Sequence, residues 1–109
     1  MFINTEIINC ENTALYIPNG ATEELSSRHN IFENFKSFNC YLGFEIGTHS
    51  NFGSFMLEQN KYKDNEEQVV YTAGILTETS HGNKIEIIND VNVWSQIKDN
   101  GEGNLICRI

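Results

Sequence analysis

Apolar and polar residues alternate with a period of two through most of the chain after residue 40, and this pattern restricts the fold to one rich in strands. Leu42, Phe44 and Ile46 alternate with Gly43 and Glu45. Successive side chains of a strand point to opposite faces, so this segment is predicted to be a strand with one buried face. Further strands are predicted over residues 52–59, 68–77, 84–88 and 105–109.

The segment before this region has a different period. Leu25, Phe32, Phe35 and Phe38 follow three- and four-residue spacing, which predicts a helix over residues 23–38 with one aromatic face. Thr22 is a suitable N-cap residue, because its hydroxyl can accept a hydrogen bond from the first turn. The N-terminal segment carries two further apolar stretches, residues 2–8 and 14–17.

Together these elements predict an α+β fold in which one N-terminal helix packs on an antiparallel sheet of about five to seven strands. Antiparallel pairing is favoured because the connections are short and Asn100-Gly101 is a strong hairpin signal. The pattern does not distinguish a twisted sheet from a partly open barrel around the helix. Residues 90–98 fit a strand or a short helix, and their β-branched side chains favour the strand. No internal repeat is evident.

Length and charge limit the classes of protein. With 109 residues, the chain is expected to form a single domain spanning residues 1–109. Its net charge of −8 argues against direct binding to nucleic acid or to an anionic membrane, because both require a basic surface. The N-terminus lacks the pattern of a signal peptide, and we expect a cytoplasmic protein. Its cysteines, Cys10, Cys40 and Cys107, are expected to be reduced thiols, because they are odd in number and lack C-x-x-C spacing.

No catalytic or metal-binding motif is present in the sequence. His29, His49 and His81 lack the tight spacing of a zinc site, and no phosphate-binding loop or nucleophile motif occurs. We therefore predict no catalytic residue, no metal, no cofactor and no enzymatic activity. A small enzyme remains an alternative, in which two of the histidines would act as general acid and base at a pocket where they converge.

Acidic side chains concentrate in two predicted loops near residues 60–67 and 99–103. In an up-and-down meander these loops would share one end of the sheet and form a negative surface for a basic partner. A tyrosine inside the first loop is a suitable anchor, because tyrosine is common among residues that dominate binding energy. The candidate partner-binding residues are therefore Tyr62, Asp64, Glu66, Glu67, Asp99 and Glu102.

In size, acidity and absence of a catalytic motif, the chain resembles the small immunity proteins of bacterial toxin systems, including contact-dependent growth inhibition. The resemblance covers these general properties and includes no signature motif. It implies a protein that binds a cognate toxin domain, a basic nuclease above all, and covers its active site. The alternatives are a phage anti-defence inhibitor of a nucleic-acid-binding host protein, a general interaction module, and the small enzyme. The oligomeric state stays open.

Overall fold

Strands dominate the part of the chain that the structure describes. A computed structural model describes residues 1–18, 28–58, 60, 62–63, 69–70, 72–88 and 96–108, and these contain no helix. Accordingly, no helix that could span a membrane occurs in these segments. The strands are β1 (Phe2–Ile3), β2 (Glu6–Ile8), β3 (Thr13–Ile17), β4 (Ile31–Phe38), β5 (Leu42–Ile46), β6 (Phe52–Glu58), β7 (Tyr62–Lys63), β8 (Val69–Val70), β9 (Thr72–Leu76), β10 (Lys84–Ile87), β11 (Gln96–Asp99) and β12 (Leu105–Arg108).

Two parallel sheets make up the fold. The six-stranded sheet has the order β1-β4-β6-β10-β12, with β2 also paired to β4, and the four-stranded sheet has the order β11-β9-β5-β3. All of their strand pairs are parallel. A separate antiparallel pair, β7 with β8, lies in the connection between β6 and β9.

The chain visits the two sheets in turn, and this order defines a β-solenoid. From β2 onward, strands of the six-stranded and four-stranded sheets alternate along the chain, with the pair β7 and β8 inserted between β6 and β9. Each return to a sheet places the new strand beside the strand of that sheet from the circuit before. One such circuit is a coil, and successive coils stack through parallel hydrogen bonding. Each coil therefore buries its apolar side chains against its neighbours, as in other repeat architectures.

Aromatic and aliphatic side chains from both sheets fill the space between them. Phe44 and Phe55 are fully buried, and their ring centroids lie 4.6 Å apart across the two sheets. Phe35 packs edge-on against Phe55 at 5.8 Å. Two glycines make room for these rings. A Cβ atom at Gly53 would overlap the ring of Phe55, and one at Gly74 would overlap the ring of Phe44.

The predicted N-terminal helix is wrong, because residues 31–38 form strand β4. A β-bulge explains the misleading spacing. The register of β4 against β6 shifts between Phe32 and Phe35, and Asn34 adopts a left-handed conformation with φ of 52°. The extra residue places Phe32 and Phe35, three apart, on the same buried face, and this imitates a helical period. The rest of the predicted helix includes residues 23–27, which lie outside the described residues.

The predicted antiparallel sheet is also wrong, as is the partly open barrel. Short connections do not require hairpins here, because each connection crosses to the opposite sheet. A strand therefore pairs with the equivalent strand of the next coil and not with the strand that follows it in sequence. The strand of the opposite sheet thus takes the place of the usual crossover helix. Asn100-Gly101 joins β11 to β12, which belong to different sheets, so it is not a hairpin turn. Residues 96–99 form a strand, and residues 90–95 lie outside the described part.

We expect Gly74→Ala to destabilise the fold by about 1–3 kcal/mol, because the added methyl group overpacks the core against Phe44. Urea unfolding followed by circular dichroism measures this change. Phe44→Leu removes the obstructing ring, so the double variant should be less destabilised than the sum of the two single variants. Strict additivity of the two effects would contradict this account of the glycine.

Candidate functional site

An asparagine ladder runs along the edge where the chain returns from the four-stranded to the six-stranded sheet. Asn30, Asn51, Asn83 and Asn104 occupy the same position in successive coils. The Oδ1 atoms of Asn51, Asn83 and Asn104 each accept hydrogen bonds from the backbone N–H and from the Nδ2 of the asparagine one coil earlier, at 2.8–3.0 Å. Asn51 and Asn83 are almost fully buried. The ladder therefore satisfies buried polar groups and fixes the register between coils.

The ladder coincides with a sequence repeat that is not predicted from the sequence alone. Before each asparagine stands a residue with positive φ, in the series His29, Ser50, Gly82 and Gly103. The tripeptides are Arg28-His29-Asn30, His49-Ser50-Asn51, His81-Gly82-Asn83 and Glu102-Gly103-Asn104. Successive ladder asparagines are separated by 21, 32 and 21 residues. The unequal spacing, caused by coils of different length, hides the repeat from a search for a fixed period.

Beside the ladder, the three histidines come together along what we call the histidine edge. His49 and His81 are in register, and their rings stack at 4.6 Å with an interplanar angle of 4°. The ring of His29 lies 6.3 Å from that of His49, nearly perpendicular to it. In the next coil, Glu102 is paired with His81 in the same way as His81 is paired with His49. The stacking follows from the register of the coils, which places equivalent residues directly above one another.

The histidine edge meets only part of the requirement for acid–base chemistry. A general acid and base must reach a substrate held between them, whereas the rings of His49 and His81 lie parallel, face to face. Within the described residues, no group of three or more His, Cys, Asp or Glu side chains is arranged to hold a metal ion. A groove of about 340 Å³ occurs elsewhere in the described structure, and none of the histidines lines it.

The second surface feature is the outer face, which we define as the solvent side of the six-stranded sheet. Apolar side chains are unusually exposed on it, among them Ile8 at 51% and Leu105 at 54%. In this face Ile31, Phe52, Lys84 and Leu105 form one row across four strands. The Nζ of Lys84 lies 5.9 Å from the ring centroid of Phe52. Exposed apolar side chains bordered by charges are typical of interaction surfaces.

Charges on the outer face are predominantly negative. Alternation with the buried residues places four carboxylates and two ammonium groups on this side of the sheet. They belong to Glu6, Glu33, Glu58, Glu86, Lys36 and Lys84. Lys84 and Glu86 approach to 3.9 Å, an exposed pair of small energetic weight. The groove of about 340 Å³ opens on this face, with Met56 and Ile88 among its lining residues.

Among the described residues, the structure does not bring the predicted partner-binding residues Tyr62, Asp99 and Glu102 to one end of a sheet. Tyr62 lies in β7, in the connection that leaves the six-stranded sheet. Asp99 ends β11, and Glu102 lies in the connection that returns to the six-stranded sheet. One connection leaves at the carboxyl ends of the parallel strands and the other enters at their amino ends, so the two lie at opposite ends of the sheet. The remaining candidates, Asp64, Glu66 and Glu67, lie outside the described residues.

Asp99 also has a local role in the turn that follows β11. Its Oδ1 accepts hydrogen bonds from the backbone N–H of Gly101 and from Nδ2 of Asn104, both at 3.0 Å. An aspartate at this position closes an Asx turn and fixes the last member of the asparagine ladder. The predicted convergence of the acidic loops depended on an antiparallel meander. Because the sheets are parallel, the described residues of the two acidic loops do not form a shared binding surface.

Comparison with protein-family models, with curated proteins and with solved structures found no match for this chain.

We expect Asn83→Ala to cost about 3–5 kcal/mol of stability, because it leaves several buried partners without their hydrogen bonds. The backbone N–H of Asn51 and the carbonyl of Thr48 lose their bonds to Asn83. Nδ2 of Asn51 and Oδ1 of Asn104 each lose one bond as well, but they keep the bond to Oγ1 of Thr48 and the bond from the backbone N–H of residue 83. Chemical denaturation measures the loss.

The matched control is Asn34→Gly, at another asparagine that bonds to the neighbouring coil. Its hydrogen bond to Asn4 is exposed, and glycine keeps the positive φ. This variant should cost no more than about 1 kcal/mol. Equal losses in the two variants would show that burial of the ladder is not what gives Asn83 its importance.

Proposed function

We propose that this chain is a cytoplasmic immunity-type protein that binds a basic toxin domain, a nuclease above all, through the outer face and blocks its active site. The observation that carries the proposal is the composition of this face, where exposed apolar side chains lie among four carboxylates and two ammonium groups. Apolar contact supplies affinity when it is buried, while the excess of carboxylates selects a basic partner and raises the association rate.

A nuclease suits this surface because its own active site has to attract phosphate. Proteins that bind a nucleic-acid backbone do so with clustered lysine and arginine side chains. The carboxylates of Glu33 and Glu86 could take the place of phosphates on such a surface. The overall charge of −8 acts in the same direction over longer distance.

The scaffold supports such binding because its face is built from hydrogen-bonded strands in fixed register. Side chains on β4, β6, β10 and β12 lie at defined positions relative to one another. A surface that is ordered before binding loses little conformational freedom on association, which favours affinity. Tyr62, Asp64, Glu66, Glu67, Asp99 and Glu102 remain candidates for contacts with the partner from the sequence alone.

Capture from a lysate of the source cells tests the proposal, followed by nuclease assays on the captured protein with and without the chain. We expect Ile31→Asp and Leu105→Asp to weaken inhibition by at least about tenfold, because each replaces a buried apolar contact by a carboxylate that must lose its water on binding. Tyr16→Asp is the matched control, since Tyr16 is exposed at 60% on the four-stranded sheet. Full inhibition by the outer-face variants, or loss of it in Tyr16→Asp alone, would refute the assignment of this face.

Binding to the same captured nuclease should weaken as the salt concentration rises, because exposed charges are screened. Charge reversal in Glu33→Lys and Glu86→Lys should mainly lower the association rate and flatten the salt dependence. Surface plasmon resonance at several ionic strengths measures both quantities. An association rate that stays constant with salt in the wild-type chain would argue against electrostatic selection.

The same experiments separate the alternatives. A phage anti-defence inhibitor would bind a host nuclease by the same physics, and the identity of the captured protein distinguishes it from a cognate toxin. The small-enzyme alternative has one observation in its favour, the convergence of His29, His49 and His81. It would require the purified chain to cleave a substrate alone, and that cleavage to be lost in His49→Asn or His81→Asn.

A further inference from the structure

Cys10 and Cys40 occupy equivalent positions in the first and second coils. Their separation of 30 residues equals that of the hydrogen-bonded pairs Asn4 with Asn34 and Asn9 with Asn39. Strand β2 is in register with β4 up to the pair Ile8 and Phe38. The two cysteines continue this register two residues further on.

Backbone hydrogen bonds on both sides confirm that the cysteines lie opposite each other. The N–H of Asn9 donates to the carbonyl of Phe38 at 2.9 Å, and the N–H of Tyr41 donates to the carbonyl of Cys10 at 3.1 Å. Asn9 and Asn39 share the same left-handed conformation, with φ of 58° and 55°. The chain therefore turns in the same way in both coils just before each cysteine.

The thiol of Cys40 lies at the boundary between the two coils. Its Sγ is 3.7 Å from the carbonyl oxygen of Ile7 in the first coil and 3.6 Å from that of Phe38 in its own, while the Sγ of Cys10 is 3.9 Å from the carbonyl oxygen of Thr13. Burial raises the pKa of the Cys40 thiol and interaction with Cys10 adds to this, whereas hydrogen bonds with the backbone of Cys10 and Phe38 oppose it. Neighbouring strands lie about 4.7–4.9 Å apart, within the Cα separation of about 4.4–6.8 Å that a disulfide accepts.

We propose that Cys10 and Cys40 are a redox-active pair that closes a disulfide between the first two coils when a low-molecular-weight disulfide is supplied. Cys10 is half-buried whereas Cys40 is buried, so Cys10 is the residue that meets the oxidant. Its thiolate attacks the small disulfide and releases one small thiol. The thiolate of Cys40 then attacks Cys10 in the mixed disulfide and releases the second small thiol. In total, two protein thiols are oxidised and one small disulfide is reduced to two thiols.

The bond would tie the N-terminal coil to the rest of the solenoid. Strands β1, β2 and β3 form one end of their sheets, with neighbours on one side only. Such terminal strands are the first to separate from a stack. Oxidation thus changes the stability of one end of the molecule and leaves the pairing of β6, β10 and β12 as it is.

The test uses the full chain with Cys107→Ser, which leaves only this pair of cysteines, in buffers of reduced and oxidised glutathione. We expect an intramolecular disulfide, seen as a mass lower by about 2 Da and as resistance of both cysteines to alkylation. Trypsin cleavage after Arg28, Lys36 and Lys61 should give linked peptides 1–28 and 37–61 under non-reducing conditions. The melting temperature should rise by roughly 10 °C, because the bond constrains the unfolded chain.

The native fold must account for the pairing. The same chain in urea should require at least about tenfold more glutathione disulfide to reach half oxidation, because its thiols are no longer held together. Cys10→Ser and Cys40→Ser in the wild-type background should abolish the linked peptide. If either fails to fold, the comparison of native and urea-treated Cys107→Ser decides the question. Equal oxidation in both states, or a glutathione adduct that persists on Cys10, would overturn the proposal.

Discussion

Parallel register between coils is the constraint on which the rest of this structure depends, and the asparagine ladder is its most demanding contact. Three of the four ladder side chains each accept two hydrogen bonds from the coil before, and Asn83 also donates to Thr48 and Asn104. A shift of one residue in any coil would leave these buried groups without partners, at a cost of about 1–3 kcal/mol each. The ladder therefore selects a single register out of the several that hydrogen bonding between parallel strands alone would allow.

Once the register is fixed, the core follows from side-chain volume. Phe44 and Phe55 meet between the sheets, and their rings extend over Gly74 and Gly53 of neighbouring positions. Gly74 pairs with Phe44 of the adjacent coil, whereas Gly53 lies two residues before Phe55 on the same strand, and each leaves room for one aromatic ring in a closely packed core. A glycine that weakens a strand in isolation is favourable here, because it leaves the space that a neighbouring ring requires.

This dependence explains which features the sequence could predict. Period-two alternation is local, so it located strands such as β5, β6 and β10 well. Sheet type is not local, because short connections are compatible both with antiparallel hairpins and with coils that cross between two parallel sheets. The bulge at Asn34 imitated a helix through three-residue spacing of buried phenylalanines. The histidine edge and the outer face also depend on the register between coils. The recurring tripeptides that end in a ladder asparagine are the one sequence signal from which this register could be predicted.

The same constraint changes how the charge of −8 should be interpreted. In a meander, acidic loops could gather at one end, whereas a parallel solenoid sends successive connections to opposite edges. Only those carboxylates that the register places on one face can therefore attract the same partner surface. Glu33 and Glu86 lie near the row of Ile31, Phe52 and Leu105 because their strands are neighbours, although their positions in the sequence are far apart. Recognition in this fold is thus a property of stacked coils, and a loop considered alone cannot supply it.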